Sequence, residues 1–157
     1  MLALQGIGWL TRKTIGMATV TVTCKQYTDE QGVVHLDSEQ EVTGGMKSTP
    51  EPRTLDWRTR PHSNAIFGEL EGRTRFVNSK ELEDGLGKDD VGFLADGWLE
   101  DEQLQSWAEN KKAGWTGNQI WGFQTVNGER RHVRKVVVTG KNGKKQTSVL
   151  VYDWVSA

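Results

Sequence analysis

The C-terminal third of the chain carries polar and aromatic side chains at every second residue of three neighbouring runs. The three alternating sets are Gln119, Trp121 and Phe123; Arg130, His132, Arg134 and Val136; and Leu150, Tyr152 and Trp154. Side chains at every second residue of a β-strand lie on one face. If the three runs are adjacent strands, Arg134, His132 and Tyr152 gather beside an aromatic wall, which is typical of a small-molecule site.

In such a site, Arg134 could pair with an anionic or carbonyl group and Tyr152 could donate a hydrogen bond. The predicted ligand-binding residues are Trp121, Phe123, His132, Arg134, Leu150, Tyr152 and Trp154. The alternative is a shift of the middle run by one residue. That shift would turn Val133 and Val137 inward and leave Arg130, His132 and Arg134 on a solvated face.

Catalytic and metal-binding motifs are absent from the sequence. The three histidines, His35, His62 and His132, have no metal-ligand spacing, and no nucleotide or nucleophile-elbow motif is present. The single cysteine, Cys24, has no evident base partner and is predicted to be a buried strand residue. We therefore predict no catalytic residue, no metal and no cofactor from motifs alone.

Turn signals place the three C-terminal runs side by side. Asn127–Gly128 separates residues 118–126 from 129–138, and residues 140–143 separate the second run from 144–155. Asn-Gly between β-type runs is a strong hairpin signal, so we predict a three-stranded meander. Further strands are predicted at 19–27, 33–42, 54–60, 64–70 and 73–77.

Two segments do not follow the strand pattern. Residues 2–16 predict two short helical turns, and the acidic residues 78–92 predict a loop or one helical turn over 79–84. About eight or nine short antiparallel strands favour closure, because closure removes exposed edges. The predicted fold is mostly β: one antiparallel β-barrel domain over 1–157, with a short N-terminal helical lid.

Composition narrows the function classes. The 157 residues have a net charge of -1, which disfavours a nucleic-acid partner, and no apolar stretch is long enough for a transmembrane segment. The basic residues between 130 and 145 are interpreted as a charged exterior, with a phosphate-binding strip as the alternative. A lone cysteine and the lack of a signal-peptide pattern predict a cytoplasmic protein.

Residues 3–13, ALQGIGWLTRK, lead directly into the Thr/Val-rich run 19–24, and the chain closes with VLVYDWV. These ends resemble the helical lid and last strands of the intracellular fatty-acid-binding proteins. Nearly the whole chain resembles fungal lipocalin-like proteins of the calycin superfamily. The resemblance implies a β-barrel with an internal ligand cavity. It also implies that the first strand is missing, which would leave an exposed strand edge for a homodimer.

Two positions depart from the fatty-acid-binding pattern. Leu150 and Phe123 stand where that family commonly has arginines, although Tyr152 matches the family's tyrosine. Because a guanidinium is what holds a carboxylate firmly, these departures weaken the case for a fatty acid in the usual pose.

Three functions follow from this interpretation. The first is intracellular binding of a hydrophobic small molecule, a lipid or secondary metabolite, inside the barrel. The alternative is a cofactor-independent isomerase or cyclase of fungal secondary metabolism, in which Tyr152, His132 and Arg134 polarise a carbonyl or move a proton. The third is an interaction protein whose barrel is filled by its own tryptophans.

Overall fold

A computed structural model describes residues 1–8, 13, 16–48, 50–82 and 85–156 of the chain. This part of the protein is mostly β, with one α-helix. The strands are β1 (Val20–Thr28), β2 (Val34–Val42), β3 (Met46–Lys47), β4 (Glu51–Thr54), β5 (Arg60–Asn64), β6 (Gly68–Val77), β7 (Gln103–Asn110), β8 (Trp115–Val126), β9 (Glu129–Thr139) and β10 (Lys145–Tyr152). Helix α1 spans Lys88–Ala95, and single 3-10 turns lie at Ser79–Glu81 and Lys141–Gly143.

The predicted lid at 2–16 falls partly outside the described residues; within them, residues 2–6 form hydrogen-bonded turns.

The described strands form two antiparallel sheets and not the single closed barrel that the sequence predicts. In the smaller sheet, β2 lies between β1 on one side and β3 and β4 on the other. The larger sheet is a six-stranded meander in the order β10-β9-β8-β7-β6-β5. Strands β1 and β10 are therefore edges of different sheets. No described helix is long and apolar enough to cross a membrane.

A bend between β4 and β5 separates the two sheets, at a place where the sequence predicts a strand over 54–60. The Asp56 carboxylate accepts hydrogen bonds from the Arg58 backbone N–H and from the Arg60 guanidinium, and Trp57 adopts φ 60°. Both features bend the backbone away from an extended ladder. The chain consequently leaves the small sheet after Thr54 and enters the large sheet at Arg60.

The predicted strand over 64–70 is also wrong, since its centre is a hairpin turn. The Asn64 side-chain oxygen accepts hydrogen bonds from the backbone N–H groups of Ile66 and Phe67, and Gly68 has φ +74°. Side-chain-to-backbone bonds of this kind let asparagine close a turn. Strand β6 then runs without a break through Glu71–Gly72, where the sequence suggested a boundary.

The C-terminal meander is confirmed, and its register decides which side chains share a face. Trp121 is paired with Arg134, and Arg134 with Leu150; Phe123 is paired with His132, and His132 with Tyr152. Strand β7, which the sequence did not reveal, extends the meander on the other side and pairs Leu104 with Trp121.

Each face of the large sheet is covered by a different layer. One face packs against the small sheet through Leu36, Leu104 and Trp121. The other face packs against α1, where Leu94 contacts the cluster that includes Ile120 and Val137. This helix lies partly within the segment 78–92, which the sequence predicts as a loop or a helical turn. Its apolar residues are too few to reveal it without the sheet that they cover.

Two glycines of β8 provide a matched test of this packing. A Cβ at Gly122 would lie 2.9 Å from the Trp98 ring, whereas a Cβ at Gly117 would first meet the Trp115 ring at 3.6 Å, an ordinary contact. We expect Gly122→Ala to lower the free energy of unfolding by about 1–3 kcal/mol, because the ring must move. Gly117→Ala should leave it unchanged or raise it by up to about 1 kcal/mol. Urea unfolding measures both; equal effects would contradict the packing of Trp98 on β8.

Candidate functional site

The space between the two sheets brings together most of the side chains that the sequence predicted as a site. Trp121, His132, Arg134 and Tyr152 lie on the face of the large sheet that looks toward the small sheet, as their ladder pairing and mutual contacts require. Val133 and Val137 lie on the opposite face, so the shifted register is not the one adopted.

Arg134 is the centre of this cluster. Its guanidinium carbon lies 3.7 Å from the centre of the Trp121 ring and 5.0 Å from that of Tyr152. Its Nε donates a hydrogen bond to His132 Nε2 at 3.1 Å. The residue is only 6% exposed. Stacking on aromatic faces is a favourable way to hold a buried guanidinium, since each ring presents its negative face to the cation.

One nitrogen of Arg134 has no partner. Nη2 is buried and forms no hydrogen bond, and within the described residues Arg134 forms no salt bridge. Burial lowers the pKa of the guanidinium, opposed by Tyr152 and by the Cys24 thiol, which also shares a hydrogen bond with it. An unsatisfied buried donor costs about 1–3 kcal/mol, more when the group is charged. The site is therefore suited to an oxygen acceptor from a bound molecule.

A second arginine reaches the same tryptophan from the small sheet, and the sequence did not reveal it. Arg53 of β4 lies 5.0 Å from the Trp121 ring. Its two terminal nitrogens donate to Glu51 Oε2 and Ser106 Oγ, both at 3.0 Å. The residue before Arg53 in β4 is Pro52. Proline is tolerated here because β4 pairs on one side only, with β2.

The positive charges of the cluster are not fully balanced. Glu51 pairs with Arg53, accepts a hydrogen bond from Asn64 at 2.9 Å and lies 3.4 Å from His62 Nε2. Its charge also raises the pKa of Arg134, although no salt bridge joins the two residues. The cluster holds two guanidinium groups against one carboxylate, an arrangement that favours electron-rich oxygen in a ligand.

The edge strands that flank the cluster are exposed to solvent. Leu150, opposite Arg134 in the ladder, is 42% exposed, and Cys24 of β1 is exposed and not buried as predicted. Phe123 extends the aromatic side, with its ring centre 5.6 Å from that of His132. Trp154 lies beyond the end of β10 and is 80% exposed, so the structure does not bring it into the cluster.

No group of three or more metal-ligating side chains occurs among the residues described.

His132 is held neutral by its surroundings. Burial, and to a smaller extent the charge of Arg134, lower its pKa from an ordinary value of 6.5 to about 4. A neutral imidazole can accept the hydrogen bond from Arg134 Nε, whereas an imidazolium cannot. His132 therefore orients Arg134 near neutral pH.

The lowered pKa of His132 predicts that the free energy of unfolding decreases as the pH falls. Because the folded-state pKa lies below the unfolded value, the unfolded chain binds the proton first as the pH falls. The contribution of the neutral His132 side chain to the free energy of unfolding is complete above pH 6.5 and is lost as the pH falls toward 4. Allowing for partial solvent exposure, we expect a loss on the order of 1–2 kcal/mol.

His132→Gln keeps an acceptor for Arg134 and does not titrate, so it should remove this part of the pH dependence. Urea unfolding at pH 7.5 and pH 4.5 compares the two proteins. The same loss of stability in both would show that His132 is not the group responsible.

Comparison with known proteins gives relatives over nearly the full chain. The chain is 32% identical to the probable pericyclase scpY of Mollisia scopiformis over 159 aligned residues, covering 99% of this chain and 80% of the relative. It is 31% identical to the pericyclase pydY of Acremonium sp. over 158 aligned residues, covering 99% of this chain and 82% of the relative.

No protein-family model matches the sequence, and no solved structure matches it. The relationship to calycins and fatty-acid-binding proteins is thus not confirmed, and lipid binding has no support from the relatives. Both relatives are fungal proteins, and both are named as pericyclases. The chain belongs to the family of fungal pericyclases that includes scpY and pydY.

Proposed function

We propose that this protein is a pericyclase: an enzyme that accelerates a concerted ring closure of an unsaturated fungal secondary metabolite without a cofactor. The proposal agrees with the cyclase alternative from the sequence and replaces simple carriage of a hydrophobic molecule as the preferred function. Its main structural support is the buried Arg134 nitrogen that has no partner and lies beside two aromatic rings.

A concerted ring closure needs little chemistry from side chains. Electrons move within the substrate, no atom is gained or lost, and no covalent intermediate forms. The protein can accelerate such a reaction by holding the reacting carbons close together and by stabilising charge that develops in the transition state. The absence of a nucleophile–base pair from the sequence motifs is compatible with this class of reaction.

Arg134 is proposed to polarise a carbonyl group conjugated to the reacting double bonds. A hydrogen bond from Nη2 to the carbonyl oxygen would withdraw electrons from the attached alkene and make it a better partner for an electron-rich diene. Charge-assisted hydrogen bonds are stronger than neutral ones and gain further strength where water is excluded. The exposed fraction of Arg134, 6%, fits this role.

The aromatic and apolar neighbours are proposed to hold the hydrocarbon part of the substrate. Trp121 is oriented by the hydrogen bond from its Nε1 to Gln119 Oε1 at 2.8 Å. Leu150 and Phe123 would guide the substrate from the open edge toward Arg134. Tyr152 would contribute a second hydrogen bond to the carbonyl. A rigid apolar wall restricts the folded shapes of a flexible chain, and that restriction lowers the entropic cost of ring closure.

The cytoplasmic location and the homodimer through a strand edge stay predictions from the sequence. The described strands do not form the closed barrel, since β1 and β10 are edges of different sheets.

The test is ring closure of the natural precursor. The metabolite that accumulates when the gene is deleted from its host is isolated and incubated with the purified protein. We expect a product of identical mass with fewer double bonds and more rings, identified by NMR. Unchanged precursor bound tightly by the folded protein would support a carrier instead and reject the enzyme.

Two substitutions test the assigned residues. Arg134→Met should lower kcat/KM by about 100- to 1,000-fold, as expected for the loss of a donor to the developing negative charge. Tyr152→Phe should lower it by about tenfold, the value of one neutral hydrogen bond. The matched control is Arg131→Met on the same strand, because Arg131 faces the other way and pairs with Glu129 and Asp153. If Arg131→Met and Arg134→Met lower kcat/KM equally, the assignment fails.

A further inference from the structure

A second cavity lies on the opposite face of the large sheet from Arg134. Its volume is about 190 Å³. Its floor is made by Asn118 and Val137, which are paired neighbours in β8 and β9, and by the next pair on that face, Thr116 and Thr139. Leu86, just before α1, lines the cavity as well. None of the side chains gathered around Arg134 lines this cavity, so it is separate from the site described above.

A chain of hydrogen bonds fixes the orientation of Asn118. Arg75 Nε donates to Gln105 Oε1 at 2.8 Å, and Gln105 Nε2 donates to Asn118 Oδ1 at 2.9 Å. A guanidinium can only donate, so the Gln105 oxygen must accept, and its amino group must then donate to the Asn118 oxygen. The Asn118 amino group is left with its donors unused among the described residues, although the residue is only 5% exposed.

Two threonines line the same cavity as Asn118. Thr116 and Thr139 are direct partners in the β8/β9 ladder and both line the cavity. The side chains of Val137 and Leu86 supply apolar wall. The lining is therefore mostly polar, with a smaller apolar part, which suits a small organic molecule that has both a polar group and a ring.

Trp107 supplies an aromatic wall whose position is supported from outside the cavity. The Arg73 guanidinium carbon lies 4.9 Å from the Trp107 ring centre and 4.2 Å from that of Trp57. Arg73 is thereby stacked against both rings. Stacking of this kind holds an aromatic side chain through one face and leaves its other face for a ligand.

The charges that line the cavity neutralise each other. Asp90 of α1 and Lys145 of β10 both contribute to the wall, and they form an ion pair with one another. Asp90 is almost fully buried. A charged ligand would have to compete with this pair, so the wall favours a neutral ligand.

From these observations we propose that the cavity is a second binding site, for a neutral compound of one ring that carries a carbonyl or hydroxyl oxygen. The ring would pack on Trp107 and Val137, and its oxygen would accept hydrogen bonds from the Asn118 amino group and the Thr139 hydroxyl. The size agrees, since a dry cavity of about 150 Å³ can hold benzene. This site does not depend on the proposed pericyclase function.

Benzamide and benzoate are suitable probes because they have the same shape and differ in charge. Titrations of the purified protein are followed by NMR shifts of the asparagine side-chain amides and by saturation transfer to the probe. We expect saturable benzamide binding in the millimolar range and at least fivefold weaker benzoate binding. No saturable benzamide binding to the folded protein, or equal binding of both probes, would overturn the proposal.

Substitutions locate the probe. Asn118→Leu and Thr139→Val should each weaken benzamide binding about fivefold, the value of one hydrogen bond. Thr139→Val keeps the side-chain shape and the Gln105–Asn118 bond, so it carries the test if Asn118→Leu fails to fold. Arg134→Met, on the opposite face, should leave benzamide affinity within twofold. Loss of binding with Arg134→Met but not with Thr139→Val would place the probe in the other site and overturn the proposal.

Discussion

Burial of the Arg134 guanidinium between two sheets is the constraint on which the candidate site depends. A cation there must be compensated, and the protein does so with π faces and one imidazole nitrogen in direct contact, while the Glu51 carboxylate acts on it without a salt bridge. This solution requires Trp121 and Tyr152 to lie on either side of β9 and on the same face. It also requires His132 to stay neutral, which its burial and the neighbouring cation both enforce. Aromatic compensation leaves a hydrogen-bond donor available, whereas a bidentate carboxylate would have occupied it.

The small sheet contributes to the same interior through β4. Arg53 stacks on Trp121 while Glu51 and Ser106 occupy its terminal nitrogens. The two arginines thus have different roles although they share a tryptophan. Arg53 ties the sheets together through both of its terminal nitrogens and lacks a partner only at Nε, whereas Arg134 lacks a partner at a terminal nitrogen, Nη2. That difference, more than the number of charges, is why Arg134 is assigned to the substrate.

Both faces of the six-stranded sheet have buried polar side chains in its central strands, where apolar residues would be expected. Both sets of alternating residues in β8 and β9 include buried polar groups: Arg134 on one face and Asn118 and Lys135 on the other. Lys135 donates to the carbonyl oxygens of Phe93 and Asp96, so it binds the C-terminal end of α1. The helix completes the second cavity through this attachment and through the pairing of Asp90 with Lys145.

Local sequence by itself determined the hairpins and, with them, much of the site. Asn127–Gly128 fixed the turn between β8 and β9, and the strict alternation of the flanking residues placed Trp121, His132, Arg134 and Tyr152 on one face. The strand period is two, so a correct turn carries the register along the whole ladder. The same reasoning failed at 54–60 and 64–70, where Asp56 and Asn64 side chains compete with the ladder for backbone hydrogen bonds.

Only the tertiary structure decided which residues meet across the two sheets. Arg53 and Ser106 are 53 positions apart, and no periodic pattern connects them. The helix α1 is stabilised by the sheet on which it packs and has few helix-favouring signals of its own. The choice between a barrel and two sheets likewise depends on pairing between β1 and β10 at opposite ends of the chain. Local patterns carry no information about such contacts, because they are formed by burial and by long-range pairing.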